Sequence, residues 1–170
     1  VRIEKTGEGM WGYLAVSGGF NVPRVMGSTS TYLRARIGGL EGRRLQMDDV
    51  LAIGTPDVDL TTAAGRIFTA DKTPNYSASP TLRVIMGPQV EAFTKKGIQT
   101  FLSQDYEIQL DSDRMGYRAE GAPIEHSGSP DIISDGIVKG SIQVPASGQP
   151  IIMMADHQTT GGYPKIATVI

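Results

Sequence analysis

Residues 141–165 read SIQVPASGQPIIMMADHQTTGGYPK, and the run at their centre, 151–155 (IIMMA), sets the fold class. Its unbroken apolar character predicts a strand buried on both faces, in contrast to the alternation of a half-exposed strand. Working outward, similar short runs recur between glycines and prolines at 1–4, 10–16, 50–53, 82–86, 106–110 and 166–170. Residues 106–110 (YEIQL) alternate, which predicts a strand with one buried face. Many short strands of this kind imply a mainly β protein, a sandwich or a closed barrel. One helix stands out, from Val90 to about Ser103. Val90, Phe93, Gly97 and Phe101, with Ile98 and Leu102 beside them, share a face at three- and four-residue steps. Pro88 suits a first turn and Glu91 precedes Lys95 by four residues. The glycine in its middle predicts close approach to another backbone, and the helix reads as a plug against a sheet.

Composition agrees with this reading. Gly and Pro together make 31 of 170 residues, roughly 18% against a usual ~12%, which excludes a long-helix bundle. With 39% hydrophobic and 20% charged residues, the chain is too apolar for disorder and too mixed for a membrane span. The absence of Cys removes disulfides, zinc ribbons and cysteine nucleophiles. A net charge of −2 with 6% aromatics leaves no footprint for nucleic acid. Charge is unevenly spread: residues 24–44 are locally +4 and residues 105–135 are −6. These read as two solvated faces, or as a phosphate or carboxylate site near Arg24, Arg34, Arg36, Arg43 and Arg44. Residues 71–80 (DKTPNYSASP) read as a flexible loop or linker between two subregions. Val1 is not an initiator Met and 162–170 stop inside an apolar run, so the chain is expected to be an excerpt of a longer one.

Most motifs fail on context. Gly7, Gly9 and Gly12 satisfy GxGxxG in GEGMWG, but a strand-like run follows where a dinucleotide site needs a helix. His126 and His157 lie 31 positions apart without an HExxH pattern, so no metal site is expected. Asp57/Asp59 and Asp111/Asp113 do not continue as calcium loops and read as turns. Asn75-Tyr76-Ser77 matches a glycosylation sequon by chance.

The chemistry gathers after the apolar run. Asp156, His157, Gln158, Thr159 and Thr160 follow it directly, then Gly161, Gly162, Tyr163, Pro164 and Lys165. A rigid strand fixes such groups and glycines admit a ligand closely; a polar turn capping its own backbone reads equally well. Gln143, on a neighbouring short strand at 142–144, can pair with a substrate amide or satisfy a buried backbone group. Arg114, Tyr117 and Arg118 in DRMGYR suit a carboxylate-binding turn, or a surface ion pair with Asp111 or Asp113.

Six segments carry a resemblance: 13–23 (YLAVSGGFNVP), 27–33 (GSTSTYL), 38–43 (GGLEGR), 113–118 (DRMGYR), 140–145 (GSIQVP) and 159–170 (TTGGYPKIATVI). In this order they resemble the KipA family, also called allophanate hydrolase subunit 2, the biotin-dependent carboxyltransferase-like family or the C subunit of 5-oxoprolinase. The resemblance implies a mainly β, cyclophilin-like β-barrel with one or two short helices, in a bacterial cytoplasmic protein. It implies a single KipA-type domain over 1–170, lacking the TVQDLGR-like segment that precedes the YLAV run in full members and the tail beyond ATVI. It also implies two partners, an A subunit plus a KipI-like B subunit, with ATP used by the complex in hydrolysing 5-oxoproline, a cyclic amide, to glutamate. Two alternatives are a regulatory antagonist of a KipI-type histidine-kinase inhibitor, and a carboxyltransferase using biotin on urea or a related amide. Urea carboxylases carry TFTLG-like and GPSLGGFVCP-like segments where this chain has TYLR at 31–34 and 159–165, which sides against the last.

On the enzyme reading, a lactam is a poor electrophile and needs a base and charge stabilisation. Asp156 and His157 are the expected general base and orienting partner, and Lys165 stabilises the developing negative charge. Gln143, Gln158, Thr159, Thr160 and Tyr163 are expected to contact the lactam. Arg114 or Arg118, with Tyr117, is expected to hold the carboxylate.

Overall fold

The computed structural model describes residues 12–56, 58–67, 69 and 76–170. The chain divides into two compact units, Val1–Ser79 and Pro80–Ile170. The division falls inside the proline-bracketed stretch at 71–80, of which residues 71–75 lie outside the described residues. Also outside them are the strand expected at 1–4, positions 10 and 11 of the next, Gly7 and Gly9 of the glycine motif, Asp57 of the first acid pair, and Asn75.

Among its described residues, the first unit is made of turns. Its regular structure is a helix, α1 (Leu60–Ala63), and the isolated bridges Phe20–Ile53, Val25–Ser28 and Tyr32–Ile37. The strands expected at 12–16 and 50–53 do not form beyond the bridge at Ile53. Gly18 and Gly54 cross backbone against backbone, so a Cβ on either would run into the other's carbonyl. Gly18 also takes a φ of +82, open to glycine and strained for other residues. The crossing is tied by Gly54 N–H donating to the Gly19 carbonyl at 3.0 Å and Asn21 N–H to the Ala52 carbonyl at 2.8 Å.

Within the basic stretch, Arg43 is committed internally. It donates from both terminal nitrogens to Asp49 at 2.7 and 2.9 Å and from Nε to Glu41 at 3.0 Å. Arg43, and after it the Gln46 backbone N–H, hold the Asp49 carboxyl down at about 2. A carboxyl lowered on folding contributes stability that is complete above its ordinary value and is lost as pH falls through the folded one. Thermal scans of wild type and Asp49→Asn should therefore differ fully from roughly pH 5 upward and converge as pH falls towards about pH 2. A constant gap between the two would mean that this pair does not govern the acid sensitivity.

A cleft of about 610 Å³ in this unit is lined by Ala15, Val16, Ser17, Gly18, Gly19, Thr55 and Val58. The Ser17 hydroxyl is buried there and has no hydrogen-bond partner among the described residues. Removing an unsatisfied buried hydroxyl relieves its desolvation, so Ser17→Ala should leave stability unchanged or raise it by up to about 1 kcal/mol. A lowered denaturation midpoint would show that the hydroxyl is held after all.

The second unit carries one antiparallel sheet of six strands: β1 (Val84–Met86), β2 (Tyr106–Ile108), β3 (Gly116–Gly121), β5 (Ser141–Gln143), β6 (Ile151–Met153) and β8 (Lys165–Val169). Their order across the sheet is β1-β8-β5-β6-β3-β2. A separate ribbon pairs β4 (Asp135–Gly136) with β7 (Thr160–Gly161). The sheet is open, which corrects the cyclophilin-like β-barrel expected from the sequence. β1 and β2 stand at opposite edges and each pairs with one neighbour, β8 and β3 respectively. A barrel requires its two edges to bond to each other, and these do not.

The helix expected at 90–103 is two pieces. Val90–Ala92 is one 3-10 turn, Phe93 is extended (φ −117, ψ 148), and α2 runs over Lys95–Ser103. Thr94 explains the break, because its hydroxyl accepts the Gly97 N–H at 2.9 Å and starts a new helix. Phe93 meanwhile bridges to His126, and the Thr94 N–H donates to the Glu125 carbonyl at 3.0 Å. The spacing of Glu91 and Lys95 therefore straddles the break. Gly97 does meet another backbone as expected, that of Glu125.

Phe93, Ile124, Ile142, Val144, Ile166 and Ala167 form the buried core, with Ile98 and Phe101 of α2 packed against it. α2 is thus the plug its apolar face predicted. β2 is shorter than YEIQL, and its alternation does not become one-sided burial: Ile108 is exposed and Leu110, past the strand's end, is fully so. In the IIMMA run, Met153 is buried while Ile151 and Ile152 are half-buried.

Candidate functional site

The two residues expected to do chemistry that are most removed from solvent are Gln143 and Lys165, at 1% and 3% exposure. They face each other in register across β5 and β8, beside the bulge between Ile142 and Gln143. Cross-strand partners on one face are close neighbours, so the sheet sets an amide beside an ammonium. Lys165 Nζ donates to Asp135 Oδ2 at 2.9 Å, and the same oxygen receives Gln89 Nε2 at 3.0 Å. The Gly136 N–H donates to Asp135 Oδ1 at 2.8 Å. Lys165 foremost, then Gly136 and Gln89, hold the Asp135 carboxyl below its ordinary range. The pair is lopsided in exposure, with the lysine side chain at 4% and the aspartate at 52%.

Gln143 is fixed at both ends. Its Nε2 donates to the Tyr163 carbonyl at 3.2 Å, and its Oε1 accepts from Gln158 Nε2 at 3.4 Å. The β4–β7 ribbon lies over it, in register Asp135 with Gly161 and Gly136 with Thr160. A Cβ at Gly161 would press on the Gln143 amide, so glycine is what lets the ribbon come down. Gln158 links this layer to His157, whose Nδ1 lies 2.6 Å from the Gln158 carbonyl. A carbonyl oxygen only accepts, so Nδ1 carries the proton and Nε2 of the neutral ring keeps its lone pair.

The other expected residues are placed differently. Asp156 does not hydrogen-bond His157; both its oxygens are taken by Arg114, at 2.9 Å from Nε and 3.0 Å from Nη2. The expected base and the expected carboxylate clamp thus bind one another. Arg118 pairs with Asp111 at 3.2 Å, the surface ion pair that the spacing allowed. Residues 116–118 of the turn expected at 113–118 belong instead to β3, with Tyr117 opposite Ile152. Arg118 lies on that strand opposite Ile151, whereas Arg114 precedes the strand. Thr159 offers its backbone carbonyl to the Ile137 N–H at 2.9 Å, and the Thr160 side chain is exposed. Tyr163 is exposed and contributes its carbonyl.

Asp135 and Gln89 were not anticipated from the sequence. Asp135 sat inside the acidic stretch and Gln89 in a turn after Pro88; their partner Lys165 is 30 and 76 positions away. Among the described residues no three His, Cys, Asp or Glu side chains gather as a metal site, and no helix is long and apolar enough to cross a membrane.

The carboxyltransferase domain, subdomain A and B, matches residues 1–170. The chain belongs to this carboxyltransferase domain family. The C subunit of 5-oxoprolinase from Haemophilus influenzae is 44% identical over 175 residues, covering 100% of this chain and 52% of the relative. The C subunit of 5-oxoprolinase from Escherichia coli is 39% identical over 172 residues, covering 100% and 53%. The crystal structure of the K. lactis urea amidolyase superposes with a TM-score of 0.74 at 23% identity, over 89% of this chain and 10% of that one. The chain spans about half the length of the curated relatives it matches. Its resemblance to the C subunit of 5-oxoprolinase, read from six motifs, holds over the whole of this carboxyltransferase-domain chain.

Proposed function

We propose that this chain is part of one subunit of a multi-component, ATP-dependent 5-oxoprolinase that hydrolyses 5-oxoproline to glutamate with a KipI-like partner and the A subunit. The observation that carries the reading is the buried Lys165 ammonium beside Asp135 and opposite Gln143, in a chain similar to 5-oxoprolinase subunits. An ammonium has three N–H donors and Asp135 takes one, so Lys165 can also face an oxygen that becomes negative. Water attacks the lactam carbonyl carbon while His157 Nε2 takes its proton. Charge builds on the carbonyl oxygen, where Lys165 stabilises it. The ring C–N bond then breaks and the nitrogen leaves as an amine, reprotonated by the imidazolium. Gln143 and Gln158 offer amides that match the lactam's N–H and C=O. Arg114 contributes by holding Asp156, not the substrate carboxylate.

ATP is spent by the complex in this reading. At the N-terminus of α2, a usual place for a phosphate, the Thr94 hydroxyl accepts the Gly97 N–H, and Gly7 and Gly9 lie outside the described residues. No step is routed through ATP on this chain. The test is ATP-dependent glutamate release from 5-oxoproline by the assembled complex, with the full-length subunit omitted and then added back. Release that does not depend on the subunit sinks the proposal.

The family match favours a second reading, carboxyl transfer to a small amide, because urea amidolyase shares the fold. That reading predicts inhibition by avidin and a requirement for bicarbonate; the first predicts neither.

A further inference from the structure

We propose that Gln89 is a positioning residue of this site, tying the backbone of Lys165 to the carboxylate of Asp135 and so fixing where the ammonium sits; this rests on the reading of Lys165 given above. Gln89 Oε1 accepts the Lys165 backbone N–H at 3.2 Å. Its Nε2 donates at 3.0 Å to Asp135 Oδ2, the oxygen that also receives Lys165 Nζ at 2.9 Å. The contacts close a ring: strand backbone, lysine side chain, aspartate, glutamine and back to the same backbone. Asp135 Oδ1 is held in addition by the Gly136 N–H, so the carboxylate cannot turn without losing a donor.

The amide is suited to this work because it accepts at one end and donates at the other. Glutamate of the same length has no donor for Asp135. The turn carrying Gln89 is itself anchored to β8, since Gly87 N–H donates to the Ile166 carbonyl at 2.7 Å, and it is closed locally by the Ala92 N–H donating to the Gln89 carbonyl at 3.0 Å. A long, flexible lysine side chain is thereby referenced to its own strand. Preorganised charge of this kind is what a developing oxyanion requires.

The structural alternative is that Gln89 merely satisfies the Lys165 N–H. Gln89→Glu separates the two, because it keeps that acceptor and replaces the donor with a second carboxylate beside Asp135. The charged group facing the Asp135 carboxylate is Lys165 of β8; the Gln89 amide and the Gly136 N–H are its neutral donors. In the isolated full-length subunit, the Asp135 carboxyl followed by carbon NMR should titrate at higher pH in Gln89→Glu than in wild type. In the assembled complex, Gln89→Glu and Gln89→Met should lower kcat by about 10–100-fold with KM little changed. The acid limb of the pH profile should move up in Gln89→Glu.

An unmoved Asp135 titration with wild-type kcat in Gln89→Glu overturns the proposal, whatever the stability of Gln89→Met. If Lys165→Met retains full activity, the function assigned to the site fails instead. The NMR arm still reports on the clamp, so the two failures are distinguishable.

Discussion

Lys165→Met in the full-length subunit is expected to lower 5-oxoproline hydrolysis by the assembled complex by about 10²–10³-fold, the usual cost of removing one donor to a developing oxyanion. Methionine keeps most of the lysine's length and fills the same buried slot, at 3% exposure, without an ammonium. The partner left behind is less of a problem than in a fully buried pair. Asp135 is 52% exposed and retains the Gly136 and Gln89 donors, so it can return to water. The variant should therefore fold, which is checked by circular dichroism and by co-purification with the other subunits. A loss of less than about threefold would remove Lys165 from the chemistry, given the size expected of such a donor. Lys165→Arg should not rescue, because a planar fork cannot replace a compact ammonium in this slot.

Gly97→Ala should destabilise the second unit, although it adds a methyl group that helices favour. Alanine ordinarily gains about 1 kcal/mol over glycine inside a helix. Here the added Cβ would fall on the backbone carbonyl of Glu125, which is held by the Thr94 N–H. The clash is with main chain and cannot be relieved by turning a side chain. Overpacking of this kind outweighs the propensity gain, for a net loss of about 2 kcal/mol. In a unit of this size that lowers the denaturation midpoint by roughly 8–16 °C. Gly128→Ala is the control, since nothing lies within 4 Å of its missing Cβ. Equal midpoints for the two variants would show that α2 can shift away from residue 125.

Local pattern was enough where the deciding contacts are local or generic. The apolar runs at 151–155 and 166–170 became β6 and β8, and the mid-helix glycine met a backbone. The break at Phe93 was hidden because a threonine inside an apolar periodicity looks like any polar position until its hydroxyl finds the Gly97 N–H. The first half of β3 was hidden because DRMGYR at 113–118, with a glycine and a tyrosine between two arginines, suits a carboxylate-binding turn; only pairing with β2 and β6 makes 116–121 a strand. Closure of a sheet depends on which strands meet, and short strands alone do not say. The site shows the same division. Lys165 and Gln143 stood out as residue types near a rigid strand, whereas Asp135 and Gln89 matter only because the sheet folds them onto Lys165. Asp156 and His157 are adjacent in sequence, yet the turn after β6 sends one to Arg114 and the other to a carbonyl.

The strand order also dictates a timetable for synthesis. β1 emerges first of the six, yet its only strand partner among the described residues is β8, the last of the six, with Val84 opposite Val169. Until β8 arrives, β2, β3, β6 and β5 can assemble among themselves, while β1 waits unpaired through the synthesis of everything between them. Pairing across such a separation is slow, because loop entropy is lost before any contact is gained. The nascent chain therefore presents an unsatisfied strand during its longest exposure to other chains. Because β8 begins at Lys165, insertion of that strand between β1 and β5 is also the event that brings the ammonium to Asp135 and Gln89.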